Sequence, residues 1–500
     1  MKNSCSLCSS RGRADCPALG ASICGPCCGS KRNSAIKCAA DCRFNPFSLA
    51  NYDGWLRIDS ALSRKMMEYR SHYYDEGQFE KIIREMMYEE GAQHALDVGA
   101  AAAMYYVFFT KPFKNGKTVA ALWREEGWAG LNSDEIAMME CRFGSGPALV
   151  EIQKILDHQA MECLDLLKPE RGIFLMLDRS LASSLVRFSR IWMWIADYPH
   201  FSRPAGGLLG VPEGIEGVLQ DKISMDVQKG RDGVSRNELI ARNFGKYGRF
   251  ICSESSRRHQ RMLNAMDVHV CKAFYEIKGK REDVKKVLDA KPDFRLVEAV
   301  GKSEAPWPAV EYDWFRQGES KVIEKKMLSS FHHDEGDEMI GILGRVFLGE
   351  KEMLVQTMSK LKSGFAKEMV ERYWGDSLAL SRESVVDLAK QMAQRAREKS
   401  LGDDENDGDA VKKNTAIPRE IEEKMITEHY RKHYERFLND PIPALDGMTP
   451  RKAAKSAKMR ARLIELMKGH IHGIDGINKD RGFSVSLDWV LDELGLKELQ

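Results

Sequence analysis

Hydrophobic positions follow a helical period in the first part of the chain. Over 79–87 the apolar side chains recur every three or four residues, and 94–109 is apolar on nearly every side. We therefore predict a helical segment over 49–143 that contains a buried helix at 94–109.

After residue 144 the pattern changes to short runs that are typical of β-strands. Runs of apolar and β-branched residues predict strands at 149–156, 172–177 and 190–196. Trp192 and Trp194 share one face of the third run, which favours core packing, with a base-stacking platform as the alternative. The glycine- and proline-rich stretch 199–212 predicts a loop. Together these runs predict a β-rich unit over 144–230.

Residues 231–399 mix both periods, which predicts a mixed α+β segment. Strands are expected at 269–277, 340–348 and 353–358, and helices at 281–288 and 361–374. Five acidic residues within 403–409, with few apolar neighbours, predict a solvated linker over 400–418. A separate helical domain is predicted after it, at 419–500.

The C-terminal domain begins with a helix whose apolar side chains lie three or four positions apart. This face is predicted to comprise Ile421, Met425, Ile426, Tyr430, His433, Tyr434, Phe437 and Leu438. Thr449 is suited to cap the next helix, with Pro450 at its first position. We predict that this basic helix spans 451–468 and ends at Gly469, which leaves His470 and His472 in a flexible loop. Its buried face is predicted to consist of Ala454, Ala457, Ala461, Ile464 and Met467.

Composition and charge limit the classes of protein to which the chain can belong. Apolar residues make up 43% and charged residues 30%, which is typical of a globular protein and excludes disorder of the whole chain. With 76 basic and 74 acidic residues, any nucleic-acid contact must come from a local patch. The longest uncharged apolar run, 98–109, is too short to cross a bilayer, and the N-terminus has no apolar signal region. We expect a cytoplasmic protein without a membrane segment.

Cysteines are concentrated at the N-terminus. Eight of the twelve are Cys5, Cys8, Cys16, Cys24, Cys27, Cys28, Cys38 and Cys42. Spacings of two or three residues within the pairs let two thiolates face one tetrahedral ion, and zinc is the ion that such ligands favour. This segment has few large apolar residues, so metal ligation would have to supply the folding free energy that burial cannot. We predict a zinc-binding module over 1–48.

The predicted cofactor is structural zinc, in two ions. An interleaved pairing places Cys5, Cys8, Cys24 and Cys27 on one ion and Cys16, Cys28, Cys38 and Cys42 on the other, although other pairings fit the spacing. A disulfide framework and an iron–sulfur cluster are the alternatives, disfavoured by the expected reducing compartment and by the spacing. Four cysteines per ion leave no open position for water, so a catalytic zinc is not expected. The predicted fold class is multidomain α+β: a zinc module, a helical segment, a small β-rich unit, a mixed segment and a C-terminal helical domain.

The run Pro-Ile-Pro-Ala-Leu-Asp-Gly-Met-Thr-Pro at 441–450 resembles the turn of the Xre/MbcA/ParS-type toxin-binding domain of bacterial antitoxins. The whole order of segments also resembles a loosely defined group of bacterial proteins with a cysteine-rich, zinc-ribbon-like N-terminus. The resemblance covers about 70 residues and implies a bacterial cytoplasmic protein, but no reaction. This chain is several times longer than an antitoxin, and no helix-turn-helix precedes the turn.

No catalytic motif is recognisable in the chain, so we expect a non-enzymatic protein that binds a protein partner through its C-terminal domain. The predicted partner-binding residues are Arg451, Lys452, Lys455, Lys458, Arg460 and Arg462. One alternative is a nucleic-acid-associated factor that uses Lys31, Arg32 and the basic helix. The other is an enzyme whose site is assembled from residues distant in sequence.

Overall fold

The computed structural model is of the mixed α+β class and divides into two compact units. The first comprises residues 1–255 and 407–500, and the second comprises 256–406. The structure describes residues 4–86, 93–113, 115–229, 235–265, 269–297, 305–315, 317–318, 320, 342–387 and 419–500. The predicted linker at 400–418 lies outside these residues, and the predicted domain boundaries stay predictions.

The first unit begins with a small cysteine-rich module. Strands β1 (Ala14–Cys16) and β2 (Ala21–Ile23) pair antiparallel, and helix α1 (Gly25–Lys31) follows. The buried core of this module consists mostly of cysteines with Ile23 and Ile36. The module therefore has little apolar surface with which to fold by burial alone.

Helices follow the module, as the sequence predicts. They are α2 (Tyr52–Ser71), α3 (Glu76–Met86), α4 (Gln93–Phe109), α5 (Val119–Glu125) and α6 (Ser133–Arg142). In α4, Ala102, Ala103, Val107 and Phe108 are completely buried, which confirms the predicted buried helix for the side chains that are described.

Five strands close into a small barrel after α6. They are β3 (Gly146–Ile155), β4 (Ala160–Asp165), β5 (Ile173–Leu177), β6 (Arg190–Asp197) and β7 (Ser202–Gly210). Around the barrel the order is β3-β4-β5-β7-β6; β5 and β7 are parallel and the other pairs antiparallel. The three predicted strands are confirmed. Helix α7 (Arg179–Ser184) lies between β5 and β6.

The predicted loop at 199–212 is wrong, because strand β7 occupies most of it. Gly206 and Gly207 have φ of +135° and +71°, and the pairing of β7 with β6 shifts register beside them. Glycines of this kind mark a bulge in a strand as well as a loop. Here the bulge lets α4 approach, since a Cβ on Gly206 would lie 2.8 Å from the carbonyl carbon of Ala101.

Trp192 and Trp194 lie on one face of β6, as predicted, and both are completely buried. The Trp192 ring stacks on Phe244 with centroids 4.9 Å apart, and its indole N–H donates to the Phe244 carbonyl at 3.4 Å. Core packing is thereby confirmed, and the base-stacking alternative is wrong. Helices α8 (Glu216–Lys229), α9 (Arg236–Arg242) and α10 (Phe244–Ala265) follow the barrel.

The second unit is built on a six-stranded antiparallel sheet. Its strands are β8 (His269–Ile277), β9 (Phe294–Leu296), β10 (Val310–Phe315), β11 (Ile342–Leu348), β12 (Glu352–Thr357) and β13 (Leu378–Asp387), in the order β13-β8-β12-β11-β10-β9. Helices α11 (Arg281–Ala290) and α12 (Lys360–Trp374) contribute to the core that covers this sheet. The predicted strands and helices of this stretch are confirmed.

The C-terminal helices belong to the first unit. They are α13 (Arg419–Phe437), α14 (Pro450–Ala454), α15 (Ala457–Arg481) and α16 (Asp488–Leu494). The Thr449 hydroxyl accepts the backbone N–H of Lys452 at 3.3 Å, so the predicted cap is confirmed, with Pro450 at the start of α14. Among the described side chains of α13, the deeply buried ones lie at its end: Tyr434 and Phe437 are in the core, whereas Met425 is 59% exposed, contrary to prediction. The side chain of Ile421 lies outside the described residues.

The predicted basic helix over 451–468 is wrong in its course, and its predicted buried face is only partly right: Met467 is completely buried and Ala454 and Ile464 pack against the core. A break between α14 and α15 rotates the second part, so Met459 and Leu463 are buried while the predicted Ala457 and Ala461 are exposed. The helix does not stop at Gly469 but at Gly482, whose φ is +68°. His470 and His472 therefore lie within α15 and not in a loop.

Gly469 has a packing role instead. A Cβ at this position would lie 2.5 Å from a carboxylate oxygen of Glu213, so the glycine lets the segment after the barrel approach α15. A glycine inside a helix need not mark its end when another segment packs closely against it.

Candidate metal centre

Four cysteines of the N-terminal module bring their sulfur atoms together. Cys5 and Cys8 come from the first loop, and Cys24 and Cys27 from the start of α1; all four Sγ atoms lie within 4.8 Å of one another. The Sγ atoms of Cys8 and Cys24 are 3.5 Å apart. A tetrahedral zinc ion with Zn–S bonds of 2.3 Å holds its sulfurs about 3.8 Å apart. The four thiols therefore fit one zinc ion with small adjustments, and the predicted ligand set is supported.

Local backbone structure positions these thiols. Cys24 is the N-cap of α1, and its sulfur accepts the backbone N–H of Cys27 at 3.4 Å, with Pro26 in the first turn. The backbone N–H of Leu7 donates to Cys5 Sγ, also at 3.4 Å. Such N–H···S contacts orient thiolate ligands and stabilise their negative charge around a metal.

The pKa values of Cys5, Cys8 and Cys27 are shifted in different directions because these thiols take part in different hydrogen bonds. Backbone hydrogen bonds from Cys24 and Leu7 lower the pKa of Cys5 to about 6. Hydrogen bonds with Ser10 lower the pKa of Cys8 as well. Cys27 is the opposite case: hydrogen bonds with Cys8 and Cys24 raise its pKa to about 12. A divalent cation would replace the shared protons and stabilise all four thiolates at once.

This site has the chemistry of a structural metal centre. Four cysteine ligands fill a tetrahedron, so no position remains for a water molecule or a substrate. In the described part of the chain it is the only group of three or more Cys, His, Asp or Glu side chains that lie this close together. The eight cysteines of the module are thiols that form no disulfide with a described residue.

The other four clustered cysteines are more loosely arranged. Cys16, Cys28, Cys38 and Cys42 line one cavity of about 400 Å³, but their sulfurs do not meet the 4.8 Å spacing of the first set. Burial raises the pKa of Cys28 and Cys38, and repulsion from the neighbouring thiolates of the set raises it further. A divalent cation bound among these thiols would reverse this effect, because it stabilises each thiolate that it binds.

An unpaired donor lines the same cavity. Asn45 is 1% exposed, and its side-chain Nδ2 is buried without a hydrogen-bond partner. Its Oδ1, by contrast, accepts from Asn33 Nδ2 and from the Phe47 backbone N–H at 2.6 and 3.0 Å. A buried amide N–H without a partner carries a free-energy cost, whereas a metal-bound thiolate beside it would accept that hydrogen bond. Among the described residues the sulfur spacing supports one ion, at Cys5, Cys8, Cys24 and Cys27, while the looser set lines a cavity with a buried donor that a thiolate could satisfy.

The predicted partner-binding residues fall into two groups. Each arginine forms an ion pair: Arg451 with Glu493, Arg460 with Glu498 and Arg462 with Asp446, at 2.8, 2.6 and 2.8 Å. Lys452, Lys455 and Lys458 are exposed and form no ion pair with any described residue. We call these three the lysine surface. Arg32, which was assigned to the nucleic-acid alternative, forms an ion pair with Asp134 on α6.

One charged cluster was missed by the sequence interpretation. Arg190, at the start of β6, contacts Glu151, Glu216 and Glu465 at 2.7, 3.0 and 2.6 Å, and Lys468 contacts Glu151 at 2.7 Å. Glu151 is completely buried. The only sequence signal was an arginine directly before a run of buried residues, which does not identify its partners. The cluster joins the barrel to α15.

No protein-family model, no curated protein and no solved structure matches the chain. The resemblance of 441–450 to the antitoxin domain stays a prediction. None of the helices in the described ranges combines the length and the apolar character that crossing a bilayer requires.

Proposed function

We propose that this chain is a zinc-containing, non-enzymatic interaction protein that binds a protein partner through its C-terminal helical domain. The observation that carries the proposal is the lysine surface: three lysines that pair with no described acidic residue, on a domain whose neighbouring arginines are all paired. Met448 lies in the turn directly before α14 and is 38% exposed. An apolar contact beside positive charge suits an acidic protein segment.

The distribution of charge favours a protein over a nucleic acid. Carboxylates of Asp446, Glu493 and Glu498 lie among the basic side chains and are held there by ion pairs. Affinity for nucleic acid comes from neutralising several phosphates at once, so interleaved carboxylates weaken it. A protein partner can place single acidic residues against single lysines.

The partner test uses the full chain with three lysines reversed: Lys452→Glu, Lys455→Glu and Lys458→Glu. A matched control reverses Lys81, Lys360 and Lys424, which are exposed lysines elsewhere, and gives the same change in net charge. A partner is first captured by wild-type protein from nuclease-treated host extract and purified. Its affinity for the lysine-surface variant should fall at least tenfold, and its affinity for the control should be unchanged.

Two other outcomes would contradict the proposal. Equal affinity for both variants would remove the lysine surface as the binding site. Retention of the wild-type protein on DNA or RNA that weakens steeply with salt and depends on the same lysines would favour the nucleic-acid alternative.

We further propose two structural zinc ions. Site A is formed by Cys5, Cys8, Cys24 and Cys27, and site B by Cys16, Cys28, Cys38 and Cys42. Site A is supported by the close sulfurs, and site B by the shared cavity and the unpaired Nδ2 of Asn45. Zinc would supply folding free energy to the module and no chemistry.

Elemental analysis of the purified full chain tests the stoichiometry. We expect two zinc ions per chain, and one each in Cys24→Ser and in Cys16→Ser. Cys163→Ser, in the barrel and remote from the module in sequence, is the control and should keep both. A wild-type content of one zinc would leave site A and exclude site B.

A further inference from the structure

We infer that a metal ion in site B is the latch that fastens the N-terminal module to the helices and barrel of the first unit. This inference rests on the proposed second ion. Ligands of site B lie beside residues that contact the rest of the unit, whereas the hydrogen bonds of site A stay inside the module.

The first connection runs from Cys38 to the barrel. The Cys38 carbonyl accepts a hydrogen bond from His200 Nε2 at 2.8 Å. His200 lies in the turn between β6 and β7, next to Phe201 and Tyr198, which are both buried in the main core. Fixing the Cys38 thiolate on an ion would therefore fix the carbonyl that this turn binds.

The second connection runs from Cys28 to α6. The Arg32 backbone N–H donates to the Cys28 carbonyl at 3.0 Å, where α1 ends. The Arg32 guanidinium donates through Nε to the Asp134 carboxylate at 2.6 Å and through another nitrogen to the Phe44 carbonyl at 2.6 Å. Asp134 lies in the first turn of α6. The ligand on α1 is thus tied to a helix about 100 residues away in the chain.

The third connection runs from Cys42 to α2. The Cys42 carbonyl accepts from the Ser48 hydroxyl at 2.7 Å, and Ser48 is completely buried just before α2. Between them, Asn45 directs its Oδ1 to the Phe47 backbone N–H, and the Phe47 ring packs 5.9 Å from Tyr198. Asn45 is thus a positioning residue whose two ends face the main core and the site B cavity.

Site A lacks such connections among its hydrogen bonds. Cys5 accepts from Leu7 and donates its backbone N–H to Ser10, and Cys24 accepts from Cys27. All of these residues lie within the module. Loss of the site A ion should therefore loosen the module itself, whereas loss of the site B ion should release the module from the first unit.

The physical reason is the scarcity of other anchors. Between Cys38 and Ser48 the described large apolar side chains are Phe44, which is 42% exposed, and Phe47, which is completely buried. One buried ring and a few hydrogen bonds offset little of the entropy of ordering eleven residues. A metal ion bound by four thiolates would hold the segment 38–48 against Cys16 and Cys28. Its binding free energy would offset most of that entropic cost.

The test compares Cys42→Ser with Cys8→Ser in the full chain, by zinc content and by hydrogen exchange. Both variants should lose one zinc. Cys42→Ser should speed exchange at least tenfold in peptides over 132–136 and 198–202, which border the module. Cys8→Ser should speed exchange within 5–27 and leave those bordering peptides unchanged. Cys42→His, which restores a zinc ligand, should restore both the zinc and the slow exchange.

A variant that keeps both ions separates the latch from the metal. His200→Ala should retain two zinc ions and speed exchange over 38–42. If Cys42→Ser does not fold, the same peptides are followed in wild-type protein while a chelator withdraws zinc in steps. If hydrogen exchange at 198–202 stays slow after zinc has left site B, the proposal that this ion fastens the module is wrong. The proposal of two ions would still stand. A wild-type content of one zinc would overturn both.

Discussion

Single buried charges show how strongly one residue depends on its partners. Glu151 is completely buried, and its carboxylate contacts Arg190 and Lys468 at 2.7 Å each. Burial alone raises the pKa of Glu151, but hydrogen bonding and charge from Lys468, with help from Gln153 and Arg190, hold it below its ordinary value. Its contribution to stability is therefore present above the ordinary carboxyl pKa and is lost as pH falls below about 4.

Glu151→Gln should destabilise the first unit by about 3 kcal/mol or more, because Arg190 and Lys468 would keep buried charges without their central partner. Urea unfolding at pH 7 measures the loss. Adding Lys468→Met to Glu151→Gln should recover part of it, and fully additive losses would show that the residues do not interact.

His433, near the end of α13, and His470, in α15, predict an acid-sensitive C-terminal domain. Burial lowers the pKa of His433, helped by nearby His429 and opposed by Asp440; burial and the charge of His433 lower that of His470. The Tyr434 hydroxyl lies 2.8 Å from His470 Nδ1. Both imidazoles are thus favoured in the neutral form when folded, so their stabilising effect is complete above pH 6.5 and is lost below it.

The melting temperature of the domain should therefore fall as pH drops from 7 to 5. In the double variant His433→Gln/His470→Gln, the melting temperature should fall less over the same pH range. Thermal melts followed by circular dichroism compare the two proteins, and parallel pH profiles would contradict this assignment.

At the scale of elements, the close approach of one backbone to another decides which positions tolerate a side chain. Gly206 has φ of +135°, and a Cβ there would overlap the backbone of Ala101 on α4. Gly206→Ala should cost about 2 kcal/mol or more, from backbone strain together with displacement of α4. Gly210→Ala, in the same strand, is the control because nothing lies within 4 Å of its Cβ. Equal midpoints of urea unfolding in the two variants would rule out this packing argument.

Helix caps provide a second element-scale comparison. Thr449 caps α14 through its hydroxyl, whereas Ser456, at the N-cap of α15, makes no side-chain cap hydrogen bond. Thr449→Ala should lower the free energy of unfolding by about 1 kcal/mol. Ser456→Ala should change it by much less, and chemical denaturation distinguishes the two.

For the first unit as a whole, the barrel and the C-terminal helices belong to one compact unit although they are far apart in sequence. Phe188, which lies just before the barrel strand β6, is 7% exposed and belongs to the core of the C-terminal helices. Beside it, Arg187 Nε contacts Asp475 on α15 at 2.7 Å. The C-terminal domain therefore completes its core with a residue that precedes the second unit in the chain.

Phe188→Ala should cost about 3–5 kcal/mol and should lower the stability of the barrel and the C-terminal helices together. Hydrogen exchange resolved by peptide, across a urea series, measures both regions at once. Ile173→Ala, at a position 64% exposed on the barrel, is the control and should shift neither. A shift confined to 419–500 would mean that the two regions unfold separately.

Local signals in the sequence determined many elements of this protein and the cysteine pairs of its candidate metal site. Apolar periods predicted α4, the strands β3, β5 and β6, and the strand pair β11 and β12, because side-chain burial repeats with backbone geometry. The spacings Cys5–Cys8 and Cys24–Cys27 predicted two chelating pairs, since such a pair is set by a few adjacent residues, whereas the tertiary structure decided that these two pairs converge. Only the tertiary structure decided the roles of Gly206 and Gly469, the pairing of Arg451, Arg460 and Arg462, and the junction of barrel and C-terminal helices. Those features depend on groups that lie far apart in the chain, and the period of a single segment carries no information about which distant atoms will face it.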